Sequence, residues 1–479
     1  MLFNSFEYVI LLWVCYVLFW TLKQKRSLRH ALLLIASWLF YSWADWRFTW
    51  LLLASTALDY GAGLGIAAGA AAGDARRKRL WMAASLVGNL GLLGFYKYYD
   101  FFTTSFQAAF AKLGLHFDPW LLGIAVPAGI SFYTFQTLSY TIDVYRGTLK
   151  PCRSLLDFAL FVAFFPQLVA GPIVRASDFL PQLERPPLFD AARVSSGLFQ
   201  ILRGLLKKLL MADILGTHIV DPHFRDQETL GQLGGWGMLL VTYAYALQLY
   251  GDFAGYSDIA IGSARLFGFE LMKNFDAPFR SKSLEEFWSR WHISMSTWFQ
   301  DYVYVWMGGS RVGFWRGCRN VFIAWTLVGL WHGAAWTYVL WGAYHGAWLV
   351  LVRLLRKHVI PGGKFQPGLR TTVLGTLFAF HVVAFSMILF RCRSLGDFTT
   401  ACAQFTDWSR ALPVLPWQLW LILALGVITH CLPEGFVAWL ERLFHAVPSW
   451  LQGLGLATAI VLLFALHPPG LAPFIYFQF

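Results

Sequence analysis

Apolar runs alternate with short polar or basic connections along the whole chain, at about 8–22, 31–44, 48–72, 80–97, 119–141, 155–170, 194–215, 234–250, 320–352, 371–390, 417–432 and 450–467. Helices that cross a hydrocarbon layer need about 20 apolar residues, and many of these runs approach that length. The connections carry a regular charge signal. Lys23, Lys25, Arg26 and Arg29 form one basic loop, Arg76, Arg77, Lys78 and Arg79 the next, and Arg146, Lys150 and Arg153 a third, each two runs beyond the last. Positive residues collect on the cytoplasmic side, so the pattern predicts an N-terminus outside.

Beyond residue 155 the simple alternation fails. Pro166, Gly171 and Pro172 interrupt one run, and Arg203, Lys207 and Lys208 lie inside another. Broken helices survive at membrane depth only where protein or a water-filled cavity covers them, so the middle of the chain predicts a buried, irregular core. From Gly251 to Arg319 the chain is too polar for a span and too apolar for a soluble loop, which reads as amphipathic helices and threads facing the cytosol or a cavity. No linker separates a soluble domain. The expected organisation is one integral-membrane domain over 1–479, with N-terminal helices at 1–118, a core at 119–352 and C-terminal helices at 353–479.

Composition sharpens this picture. Of 479 residues 57% are apolar and only 13% charged, about half the charged share of a soluble protein. The formal net charge of +12 belongs to cytoplasmic loops rather than to a nucleic-acid surface. Cys15, Cys152, Cys318, Cys392, Cys402 and Cys431 show no CxxC spacing, which argues against a zinc site or disulfide framework. The first apolar run follows Glu7 and precedes lysines, the reverse of a cleavable leader.

Three places can carry chemistry. Residues 321–350 contain no Asp, Glu, Lys or Arg, and their only groups titrating near neutrality are His332 and His345. An imidazole inside a membrane protein is a functional candidate by default. Gly329 and Gly333 flank His332 and permit a close approach; His345, about 220° further round a continuous helix, points elsewhere and reads as structural. His292, in Phe287–Ser296, lies beside tryptophans 288, 291 and 298 and reads alone as part of an interfacial helix with a snorkelling arginine; paired with His332 it becomes a candidate orienting partner for acyl transfer. Gly251–Gly262 supplies Asp252, Ser257 and Asp258, with roles as acids, nucleophile or substrate contacts, or simply a helix whose glycines allow tight packing. His218, His223, Asp221 and Asp226 read as a wet interfacial loop rather than a metal site. A G-x-S-x-G elbow, a P-loop, H-E-x-x-H and His-x4-Asp are all missing.

Read together, these segments resemble the membrane-bound O-acyltransferases, and among them the membrane subunits that O-acetylate bacterial alginate and peptidoglycan. The resemblance rests on Met1-Leu2-Phe3-Asn4-Ser5, Val126–Gln136, Phe165–Ile173, Asp252–Gly262, Phe287–His292, Trp331-His332-Gly333 and the ending Phe474–Phe479. It implies an all-α polytopic core of about 11 transmembrane helices, with re-entrant and amphipathic cytoplasmic helices around a central funnel. His332 matches the family's near-invariant histidine and His292 its second. Ala254 stands where relatives often have serine.

The resemblance further implies acetyl-CoA as donor substrate with no tightly bound cofactor, an extracytoplasmic polysaccharide as acceptor, a periplasmic esterase-like acetyltransferase as partner, and a place in the bacterial inner membrane among its lipids. Asp252, Ser257, Asp258, Arg290, Trp291 and Trp331 become candidate substrate-binding residues. Arg265, Lys273, Arg280, Lys282, Arg290, Arg311, Arg316 and Arg319 can attract coenzyme A phosphates as a group. Two other readings stay open: a D-alanyl transfer subunit for teichoic acid, which shares the two-histidine layout and is fed by a carrier protein, and a proton-coupled transporter whose histidines relay protons and whose broken helices form a substrate site.

Overall fold

The computed structural model describes the chain except residues 170, 360–367, 434, 467–473 and 476–479. Ala170, in one matched segment, and the last four residues of the closing motif lie outside the described residues. Among the described residues the fold is helical, with no strand. Among the described residues three helices are long and apolar enough to cross a membrane, over Trp46–Ala71, Trp336–His358 and Leu369–Arg391; the bent pair Trp417–Cys431 and Gly435–Ala446 makes a fourth if it counts as one span. The chain divides into two compact units, Met1–Gly197 with Ala260–Met272, and Leu198–Ile259 with Lys273–Phe479.

In the first unit, polar residues inside apolar helices are paired with one another. Asp59 is fully buried and accepts hydrogen bonds from Ser85 (2.5 Å), Asn89 (2.7 Å) and Thr141 (3.2 Å), which ties helices Thr49–Ala71, Ala75–Leu93 and Ile130–Arg146 together. Where water is excluded, an unsatisfied carboxylate would cost several kcal/mol. The expected helix over 119–141 forms only from Ile130. Pro119, Gly123, Pro127 and Gly129 hold the preceding residues as a thread, with φ of 58° at Gly123 and 74° at Gly129, and Asp100 accepts the Leu122 and Gly123 N–H groups.

The second unit contains both candidate histidines and all the candidate substrate-binding residues. Helix Gly234–Leu266 runs well past the expected end at 250, and its last residues, from Ala260, count with the first unit. The expected single run 320–352 is two helices, Phe314–His332 and Trp336–His358, joined by an extended turn at Gly333–Ala335. The two pack antiparallel through glycine: a Cβ on Gly329 would strike the Tyr338 carbonyl and lie 2.8 Å from Gly342 N, and one on Gly346 would lie 3.1 Å from Phe322 Cα. Bare backbone is what lets the helices approach this closely.

Candidate active site

Because the run breaks after His332, the helical-wheel separation of the two histidines does not apply. His332 ends the first helix and is 3% exposed. Its ring is boxed by Trp331 (5.0 Å between centroids), Trp341 of the returning helix (5.1 Å, perpendicular) and Phe390 near the end of Leu369–Arg391 (5.2 Å). His345 lies one turn beyond Trp341, their rings 4.8 Å apart, and shares Ser386 with it: His345 Nε2 is 2.9 Å and Trp341 Nε1 3.2 Å from Ser386 Oγ. His345 thus helps fix the box around His332. Trp341, Ser386 and Phe390 escaped the sequence reading because only the helix break and a third helix bring them there; the glycines at 329, 342 and 346 were the available signal.

His292 faces the same box, with its ring 6.3 Å from that of His332 and 5.8 Å from Trp331. It is fully buried and adopts φ 44°, ψ 53°, one of two non-glycine residues in the described chain with positive φ. Such a conformation is costly for a side-chain-bearing residue and persists only where surrounding contacts impose it. Those contacts are visible. The chain pivots here between helices Leu284–Arg290 and Ile293–Phe299, and Asn274 grips the pivot by accepting from Ile293 N on its carbonyl (3.0 Å) and from Ser294 N and Oγ on its side chain (3.1 and 2.9 Å). On the other side Asp276 N donates to the Arg290 carbonyl at 2.9 Å. Phe253 closes over the imidazole at 4.6 Å. Burial pushes the His292 pKa well below the ordinary histidine value, so the ring is neutral at physiological pH.

The remaining candidates build the support. Ser257 accepts from Asn274 Nδ2 at 3.3 Å and so belongs to the network that holds the His292 pivot. Arg290 pairs with Glu286 (3.0 Å) and Asp276 (3.5 Å). Trp291 stacks on Phe287 and packs against Phe275 and Phe279. Asp252 binds Lys208 at 2.5 Å and accepts the Ile475 N–H at 2.8 Å, while Lys208, itself 1% exposed, also reaches Asp213 at 2.7 Å. Phe474 lies 5.5 Å from Phe253, so Asp252 clamps the closing segment against the ring that covers His292. Asp258 is held by Gln200, Arg203 and Lys207 at 2.5–3.1 Å. Burial alone would raise its pKa, but the two cations hold its carboxyl well below the usual carboxylate range. Among the described residues no group of three His, Cys, Asp or Glu side chains is placed to hold a metal ion.

Two buried imidazoles in one aromatic box suit proton movement at a reacting group. Residues 149–394, which include both histidines and their supports, match the model of the membrane-bound O-acyltransferase family. The chain belongs to that family. This O-acyltransferase is a multi-pass membrane protein. It is 38% identical to the "Probable alginate O-acetylase AlgI" of Pseudomonas putida, over 85% of this chain and 81% of that one. It is 33% identical to the "Peptidoglycan O-acetyltransferase" of Helicobacter pylori over 76% and 71%, and 31% identical to the "Teichoic acid D-alanyltransferase" of Bacillus subtilis over 55% and 68%.

Proposed function

We propose that this acyltransferase takes the acetyl group of cytosolic acetyl-CoA and passes it outward for O-acetylation of an extracytoplasmic polysaccharide. The observation that carries the proposal is the His332 imidazole, buried in an aromatic box with the neutral His292 beside it. His332 takes the proton of an attacking hydroxyl as its oxygen bonds to the thioester carbon. The C–S bond then breaks, and the imidazolium returns the proton to the departing coenzyme A sulfur, leaving the free thiol and an acetyl ester. A positioned base of this kind contributes about 10²–10⁴-fold in rate. A variant of the same step has His332 hold the acetyl group itself before handing it on.

His292 orients the donor, and Trp291, Trp331 and Arg290 shape its approach. Ser257, Asp252 and Asp258 support the pocket behind it. Arg311 and Arg316, exposed at the start of the helix that ends in His332, supply positive charge for the coenzyme A phosphates. The polymer is too bulky for a narrow passage, so a periplasmic esterase-like acetyltransferase docked on the outer face completes the transfer. In this reading one domain over 1–479, with about 11 spans and its N-terminus outside, lies among inner-membrane lipids.

The similarity to a teichoic acid D-alanyltransferase supports a second reading, in which a carrier protein delivers D-alanine, but that similarity covers 55% of this chain against 85% for the alginate relative. Radiolabelled acetyl-CoA separates the two. The purified enzyme is expected to release free thiol and transfer label, whereas a carrier-dependent enzyme does neither.

A further inference from the structure

Asp59 stands midway along the span Trp46–Ala71 with none of its surface exposed, and among the described residues no lysine, arginine or histidine pairs with it. A carboxylate at that depth is a functional candidate by default, because an unbalanced charge in an apolar surround costs several kcal/mol. It belongs to the first unit, and no step of acyl transfer proposed above uses it. Its two oxygens are treated unequally. Asp59 Oδ2 accepts from Asn89 Nδ2 at 2.7 Å, the other amide hydrogen goes to the Ser85 carbonyl at 3.0 Å, and Asn89 Oδ1 accepts from Ser55 Oγ at 2.7 Å. That side is complete.

The other side is short of hydrogens. Asp59 Oδ1, Ser85 Oγ and Thr141 Oγ1 form a triangle with edges of 2.5, 3.0 and 3.2 Å, and Thr141 Oγ1 also lies 2.8 Å from the Thr137 carbonyl oxygen. Each hydroxyl owns one hydrogen, so these four contacts share two, and two of them bring oxygen against oxygen with nothing between. Protonating the carboxyl would add a third hydrogen and still leave one contact bare. A bound cation answers the charge and the hydrogen deficit together, since hard cations take oxygen ligands and the lone pairs here converge from three helices, Thr49–Ala71, Ala75–Leu93 and Ile130–Arg146. One carboxylate balances one positive charge, whereas a divalent ion would leave a net charge at membrane depth. The triangle's oxygens lie no more than 3.2 Å apart, too close for the wide shell of potassium.

We infer that Asp59, Ser85 and Thr141, with the Thr137 carbonyl, form a sodium site that ties together three helices of the first unit. Binding of radiolabelled sodium to the purified full chain tests it, with choline chloride holding the ionic strength constant. The chain is expected to take up label saturably at one site, and unlabelled NaCl should displace it at about tenfold lower concentration than KCl does. The melting temperature should rise with NaCl and respond much less to KCl, as a ligand that binds only the folded state requires. Asp59→Asn removes the charge and should abolish both responses. Thr141→Val keeps the carboxylate, takes away one ligand, and should weaken sodium binding about tenfold or more in a protein that still folds. A folded parent that binds no label overturns the site and leaves Asp59 as a hydrogen-bonded tie between helices. Equal displacement by KCl overturns it too, as does undiminished sodium binding by Asp59→Asn or Thr141→Val.

Discussion

The rings of His332 and Trp341 meet at right angles, 5.1 Å apart, across the turn between two antiparallel helices. That contact depends on glycine further down the pair. The Gly329 and Gly342 backbones approach so closely that any added carbon meets main chain, which cannot swing aside as a flexible side chain can.

Gly329→Val is therefore expected to separate the helices, lowering stability by about 1–3 kcal/mol and moving the His332 ring out of its box. Thermal melting in detergent and acetyl transfer should fall together. Gly91→Ala, whose Cβ meets nothing within 4 Å, serves as control and should leave the melt unchanged or raised.

How far the sequence disclosed this arrangement depends on the scale of the feature. The apolar runs and the two histidines are local signals, and the first unit's helices largely follow them. The break at Gly333–Ala335 is not, because a charge-free run of that length fits one long helix as well as two. Reading it as continuous turned His345 away from His332 and hid Trp341. Asn274 gave no signal of its own, since its role arises only where the chain pivots at His292. Lys207 and Lys208 were conspicuous inside an apolar run, but apart from Asp213 their carboxylate partners, Asp258 and Asp252, lie on a helix distant in sequence.

The left-handed backbone at His292 makes a specific substitution informative. Asparagine tolerates that conformation better than other side-chain-bearing residues and has no imidazole. His292→Asn should keep its fold in a melt yet lose about tenfold or more of acetyl transfer, and parental turnover by the folded variant would contradict the role given to this ring.

The same residue sets a pH dependence. An imidazole in the unfolded chain titrates near 6.5, whereas burial depresses the folded value well below this. The stabilising contribution is complete above about pH 6.5 and is lost as pH falls, because the unfolded chain takes up a proton that the folded chain refuses. The loss is at most about 1.4 kcal/mol per pH unit. Melting curves at pH 7.5 and 5.5 should show a smaller acid shift for His292→Asn than for the parent; identical shifts would remove His292 as the source.

Asp258 neutralises two cations, so Asp258→Asn leaves Arg203 and Lys207 facing each other in a largely buried place. Both cations keep partial access to water, so the cost is expected below that of a fully buried pair, at about 1–3 kcal/mol. In a double-mutant cycle, the same substitution made in a Lys207→Met background should cost measurably less, and strict additivity would argue against the pairing.

The decisive measurement is release of free thiol from acetyl-CoA by purified His332→Gln protein, with its melting temperature recorded beside the parent. The account predicts a parental melt with thiol release reduced by about 10²-fold or more. A folded His332→Gln enzyme that releases thiol at the parental rate would contradict it.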